Sequence, residues 1–321
     1  MATSLRHVFV PLGQVIARGA VPGWAPAGRF PARGRVRSIA LAALLASVQA
    51  AGSAFPSLAG APSRQAEPQR TLIARRHIVV SADPIASEVG SRILDEGGNA
   101  VDAAIAVGFA LAVVYPQAGN LGGGGFLLYR DAASGASWVV DYRETAPARA
   151  SPEMYLGPAG EPVKGLSTDG YLAVAVPGTP AGLELAHRRY GLLPWKRLVE
   201  PALRLANKGF PVSAALAEDI RNEAAGLGRY PSTAAVFLPQ GRPPMPGYVL
   251  RQPDLARTLA AIASDGAAGF HRGRVARTIA GDVQANGGVL TTEDLAAYRA
   301  RIRKPLEGTY SGLKLLTVPP P

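Results

Sequence analysis

Cysteine is absent from the sequence, which excludes disulfides, thiolate metal sites and a cysteine nucleophile. The absence does not argue against an oxidising compartment, because a chain of 321 residues can be stable without cross-links. Histidine is scarce, with only His7, His77, His187 and His271. No pair has a metal-ligand spacing such as HExxH, and none stands beside a serine-centred nucleophile elbow. Acidic residues are missing from the front, where residues 1–76 carry ten arginines and one acid, Glu67. The net charge of +11 therefore sits mostly in that segment. It does not form a folded basic patch able to track phosphates, so nucleic acid is not an expected partner.

What is present is globular in kind. The chain is 48% hydrophobic and 18% charged, enough for one sizeable core or two small ones and against global disorder. Arg29, Arg33, Arg35 and Arg37 precede an uncharged run, Ser38 to Phe55, whose most apolar stretch, Ile39 to Val48, leads into small residues at Val48-Gln49-Ala50 and Gly52-Ser53-Ala54. Basic, apolar and small-residue zones in that order read as a signal peptide or leader over 1–54, implying a periplasmic or secreted protein. The apolar zone is too short and alanine-rich for a membrane span. Residues 55–76 read as a flexible linker. At the other end, the apolar run Leu313 to Val318 leads into Pro319-Pro320-Pro321. A proline run ends a strand without closing a domain, so the chain reads as stopping mid-architecture.

Between these ends the pattern is mixed. His77 to Ala82 reads as a short buried strand. Asp83-Pro84 opens a helix to about Glu96, ended by Gly97-Gly98. Asn99 caps the next helix, Ala100 to about Val114, with Asp102 in a capping-box position. That helix is apolar nearly all round and is expected to be buried on most faces. Strands follow at Phe126–Arg130 and Ser137–Arg143, joined by a hairpin loop. Helices are expected from Thr179 to near Gly191, then at about Pro194–Lys208, Ser213–Glu223, Pro253–Ser264 and Arg274–Asn286. A short one to about Arg299 is capped at Thr291. A strand returns at Lys314–Val318. The order suggests an α/β or α+β layered fold.

Two local features could carry chemistry. Gly122-Gly123-Gly124-Gly125 resembles a phosphate cradle, but such a loop needs a helix N-terminus immediately after it. Here a strand follows and no Gly-Lys-Ser/Thr is present. The better reading is a loop stripped of side chains so that another backbone segment can pack against it. Asp141-Tyr142-Arg143-Glu144 ends a strand whose alternation places Trp138, Val140 and Tyr142 on one face and Val139, Asp141 and Arg143 on the other. An arginine there could fork a carboxylate. On composition alone, an Asp141–Arg143 surface pair of small energetic worth is the better reading. The Thr291-Thr292 pair fits a helix cap better than a nucleophile.

Beyond residue-level chemistry, the chain from about residue 75 to 321 resembles the start of γ-glutamyltransferases, also called glutathione hydrolases. The resemblance rests on ordered segments: GGNAVDAAIA, the NxGGGGF loop, DYRExAP, AVPGTPAG at 175–182, PALRLANKGF at 201–210, NGGVLTTEDLAAY at 286–298 and a VPPP terminus. It implies an N-terminal-nucleophile (Ntn) hydrolase αββα sandwich, of which residues 77–321 form an incomplete, helix-rich large-subunit region. It also implies a precursor that cuts itself ahead of a threonine to give a large and a small subunit. That threonine takes the γ-glutamyl group from glutathione or a related compound and passes it to water, an amino acid or a dipeptide. No metal or organic cofactor is implied. Arg143 matches the arginine that binds the substrate's α-carboxylate, which reverses its weighting on composition. The glycine loop matches structural floor, and the nucleophilic threonine segment lies beyond residue 321. By itself the chain is expected to be catalytically inert. A glutaryl-cephalosporin-type acylase of the same architecture is the runner-up, and an inert truncated fragment the alternative of a different class.

Overall fold

The computed structural model describes residues 73–321. The leader expected over 1–54 and most of the linker over 55–76 lie outside them. Eleven α-helices and seven strands occur among the described residues. In chain order they are α1 (Pro84–Asp95), α2 (Ala100–Val114), β1 (Phe126–Arg130), β2 (Ser137–Asp141), α3 (Thr179–Tyr190), α4 (Trp195–Lys208) and β3 (Phe210–Pro211). Then come α5 (Ala214–Asn222), α6 (Ala224–Leu227), α7 (Pro231–Phe237), β4 (Val249–Leu250), α8 (Pro253–Asp265) and α9 (Ala268–His271). The last are α10 (Gly273–Ala285), α11 (Thr292–Ala297), β5 (Arg301–Arg303), β6 (Leu306–Tyr310) and β7 (Leu313–Thr317).

Helix α2 is the keel. Asn99 caps it by accepting from the Val101 and Asp102 amides, both at 2.9 Å, while the Asp102 carboxylate returns to the Asn99 amide at 3.0 Å. The same carboxylate, fully buried, accepts from the Leu192 amide at 3.1 Å and so ties the start of α2 to the end of α3. A buried carboxylate is tolerable because backbone donors surround it. Apolar side chains leave α2 in every direction, so it packs against α1, α3 and α4, and α4 packs on α8. Phe109 meets Trp195 edge-to-face at 5.4 Å between ring centres, and the indole donates to the Ile262 carbonyl at 2.8 Å. A second, smaller core of Val176, Ala276, Ala280, Val283, Leu290, Leu295 and Tyr298 lies under α10 and α11.

The main sheet is antiparallel in the order β1-β2-β5, with Leu128 opposite Val139 and Val140 opposite Ile302. Two-stranded pairs β3-β4 and β6-β7 complete the strands. Among the described residues no helix is long and apolar enough to cross a membrane.

Three sequence expectations need correction. Residues 77–82 form no strand, because among the described residues no neighbouring strand offers them a ladder of hydrogen bonds; Val79 instead packs on α1 near Gly90. Strand β2 stops at Asp141 rather than Arg143, although Tyr142 still exchanges backbone bonds with Gly125 at 2.9 and 3.3 Å. The final strand spans 313–317 and pairs with 306–310, which the sequence reading missed. Its turn is Ser311-Gly312, with φ of 48° and 77°. Positive φ at both central residues is the hairpin geometry that a Ser-Gly pair could have signalled.

Candidate functional site

Strand β2 delivers Asp141 and then releases the chain into Tyr142-Arg143-Glu144-Thr145. Backbone hydrogen bonds hold Tyr142, Arg143 and Thr145 of this segment. The Asp141 carboxylate accepts from the Arg143 amide at 3.2 Å, and its other oxygen takes the Arg303 guanidinium of β5 at 2.8 Å. The expected Asp141–Arg143 side-chain pair is therefore not formed, and Asp141 instead sets the Arg143 backbone. Thr145 and Val176 exchange amide bonds at 3.2 and 2.8 Å, and the Ala148 amide donates to the carboxylate of Asp294, in the first turn of α11, at 2.8 Å. The Tyr298 hydroxyl donates to the Arg143 carbonyl at 2.8 Å.

The glycine loop is the other wall. A Cβ added to Gly124 would lie 2.3 Å from the Tyr142 carbonyl oxygen and 3.0 Å from the Arg143 Cα. Only a residue without a side chain permits that approach. The Gly123 carbonyl accepts from the Gly178 amide at 2.7 Å and the Thr179 amide at 3.0 Å, while Asn120 Oδ1 takes the Gly123 amide and the Thr179 hydroxyl at 3.0 and 2.8 Å. The loop is thus a backbone cradle for the arginine segment, as the sequence reading expected, and a strand follows it.

With its backbone fixed, the Arg143 side chain remains about one-third exposed. Its Nη1 lies 3.4 Å from Glu144 Oε2. That oxygen is buried and, among the described residues, accepts no hydrogen bond. No hydrogen bond from the Arg143 guanidinium itself occurs among them. A delocalised cation with unspent donors on a rigid backbone is suited to a carboxylate.

The histidines stay apart from this segment's side chains, with one exception of consequence for its backbone. His77 faces Ser91 and Asp95 through the same ring nitrogen, at 3.4 and 3.7 Å, so it cannot relay a proton between them. His187 bonds the Leu193 carbonyl at 2.7 Å and lies against Trp195. His271 is buried and stacked on Tyr298, with ring centres 5.6 Å apart and planes at 12°. Burial pushes its pKa down to about 4, helped by the Arg299 charge and opposed by the bond to the Leu295 carbonyl. Among the described residues no three metal-capable side chains cluster. An open groove of about 550 Å³ lies between the Arg130–Trp138 turn and the β6-β7 hairpin, at the end of β2 away from Arg143.

The gamma-glutamyltranspeptidase family model matches residues 86–321, and both the glycine loop and Arg143 fall inside that span. The chain belongs to this family. The glutathione hydrolase proenzyme of Escherichia coli (strain K12) is 44% identical over 291 residues, covering 89% of this chain and 50% of that protein. The gamma-glutamyltranspeptidase structure of Helicobacter pylori superposes with a TM-score of 0.74 at 42% identity, covering 79% of this chain and 72% of that one. An acylase ACY 1 proenzyme of Pseudomonas sp. (strain SE83) is 40% identical over 253 residues, covering 77% of this chain and 45% of that protein. The chain spans about half the length of such relatives. Its architecture is that of a helix-rich large-subunit region of the Ntn-hydrolase sandwich, carrying part of the sheets. Sequence reasoning raised Arg143 from its place at a strand end and preferred it to a surface pair only on the family resemblance; it assigned no role to Tyr298, the last residue of the 286–298 motif, because its partner is 155 residues away.

Proposed function

We propose that the complete protein containing this chain takes the γ-glutamyl group of glutathione or another γ-glutamyl compound and passes it to water, an amino acid or a dipeptide. The nucleophile is a threonine outside residues 1–321, freed when the precursor cuts itself into a large and a small subunit. Its Oγ attacks the γ-carbonyl carbon while its own α-amine takes the hydroxyl proton. The tetrahedral intermediate collapses as the C–N bond breaks and that proton leaves with the amine, giving an acyl-enzyme that the acceptor resolves. Within this scheme Arg143 binds the α-carboxylate of the glutamyl group, holding the γ-carbonyl at a fixed distance from the nucleophile. Residues 1–54 export the protein as a signal peptide, residues 55–76 link, and residues 77–321 supply the large-subunit region. Glutathione, the acceptors and the small subunit of the same precursor are the partners.

The observation that carries this reading is the Arg143 guanidinium, about one-third exposed and, among the described residues, paired only with the neighbouring Glu144, on a backbone locked by the glycine loop. The test is Arg143→Lys in the complete gene product, with γ-glutamyl-p-nitroanilide as donor. Replacing a bidentate fork by a point charge should lower kcat/KM about 10- to 100-fold. Unchanged kinetics remove Arg143 from the site. The similarity to an acylase supports a second reading, in which the same arginine grips the carboxylate of a glutaryl side chain. Comparing γ-glutamyl and glutaryl-cephalosporin substrates on one preparation separates the two.

A further inference from the structure

Tyr298 sits at the end of α11, 155 residues from Arg143, with its ring buried in the smaller core and its hydroxyl donated to the Arg143 carbonyl at 2.8 Å. That carbonyl lies past the last residue of β2 and has no other hydrogen-bond partner among the described residues. The amide of the same residue is held by Asp141 at 3.2 Å. Fixing both the amide and the carbonyl of one residue fixes its φ and ψ together, and hence the direction in which its Cα–Cβ bond leaves the backbone.

The tyrosine is itself clamped. Its ring stacks on His271, whose Nδ1 donates to the Leu295 carbonyl at 3.1 Å, so the imidazole cannot turn away. The Tyr298 amide donates to the Asp294 carbonyl at 3.1 Å. Gly178 leaves the passage open: a Cβ there would come within 2.2 Å of both the Tyr298 hydroxyl and the Tyr142 carbonyl. The path from α9 through His271 and Tyr298 to Arg143 is continuous, and its last link is a single hydroxyl.

We infer that Tyr298 is a positioning residue for donor binding: its hydroxyl, steadied by the His271 ring, aims the Arg143 guanidinium at the substrate carboxylate. This rests on the reading of Arg143 as the carboxylate binder. Tyr298 touches no reacting atom, because its one proton is spent on a backbone carbonyl. Its loss therefore weakens capture of the donor and leaves the chemical steps nearly intact.

Tyr298→Phe in the complete enzyme keeps the stacked ring and deletes only the hydroxyl. The expected result with γ-glutamyl-p-nitroanilide is a KM raised about 5- to 10-fold, with kcat per titrated active site within about twofold. In an Arg143→Ala background the same substitution should change KM no further, since the coupling runs through that side chain. His271→Ala, which removes the supporting ring, should raise KM in the same direction by a smaller factor, and it decides the matter should Tyr298→Phe fail to accumulate. A KM within twofold of wild type in these variants overturns the inference. So does a loss confined to the fraction of active enzyme with KM unmoved, which marks a merely structural role. If Arg143→Ala alone leaves KM unchanged, the carboxylate reading fails. If it raises KM while Tyr298→Phe does not, only the positioning role fails.

Discussion

Helix α2 and the β6-β7 hairpin both carry large aliphatic and aromatic side chains, yet they end in opposite surroundings. Ile105 and Phe109 of α2 have no exposed surface, whereas Leu313 and Tyr310 of the hairpin expose 66% and 71% of theirs. Residue type does not separate them. The difference is the number of elements that pack on each: α2 is covered by three helices, while β6 and β7 form a sheet with no third strand among the described residues. Hydrophobic stabilisation follows the area removed from water, so the same leucine contributes heavily in one place and little in the other.

The contrast predicts a graded series of effects. Phe109→Ala, which empties the space beside Trp195, should cost about 3–5 kcal/mol in urea unfolding of the 321-residue chain; a loss under about 1 kcal/mol breaks the view of α2 as the keel. The smaller core under α11 is the intermediate case, because few elements build it and yet it excludes water from His271. The unfolded chain protonates this histidine near 6.5, the folded chain only near 4. Between those values the unfolded state binds more protons. Its contribution is therefore complete above about pH 6.5 and is lost as pH falls toward 4, by up to about 3 kcal/mol. Comparing the pH slope of unfolding with that of His271→Gln isolates the term, and equal slopes would remove it. The smallest effect belongs to the hairpin, where Leu313→Ser should change the unfolding free energy by under about 0.5 kcal/mol. A cost approaching that of Phe109→Ala would show that the hairpin is covered in solution.

Legibility from sequence followed the range of the interaction. The caps at Asp83, Asn99, Ser213 and Thr291 all accept the amides that their side chains are spaced to reach. Helix bounds followed within a residue or two for α1, α3, α4, α5, α8 and α10. Strands at 77–82 and 142–143 were over-read, since an extended apolar run becomes a strand only when a neighbour takes its amides. Arg301–Arg303 was missed because two charged residues around one isoleucine give no buried alternation, although pairing with β2 makes it a strand. In the site, the close-packing role of the glycine loop was legible from the strand that follows it.

The amino-acid order alone determined the helical caps, the all-round apolar α2, the glycine loop before a strand and the string of motifs that places the chain in its family. These are properties of residues near one another along the backbone, where spacing translates directly into geometry. Tertiary structure alone brought Gly124, Gly178 and Tyr298 onto one carbonyl-lined segment. Those contacts join stretches separated by up to 155 residues, and no local pattern encodes them, because their energy exists only once the helices and the sheet have packed.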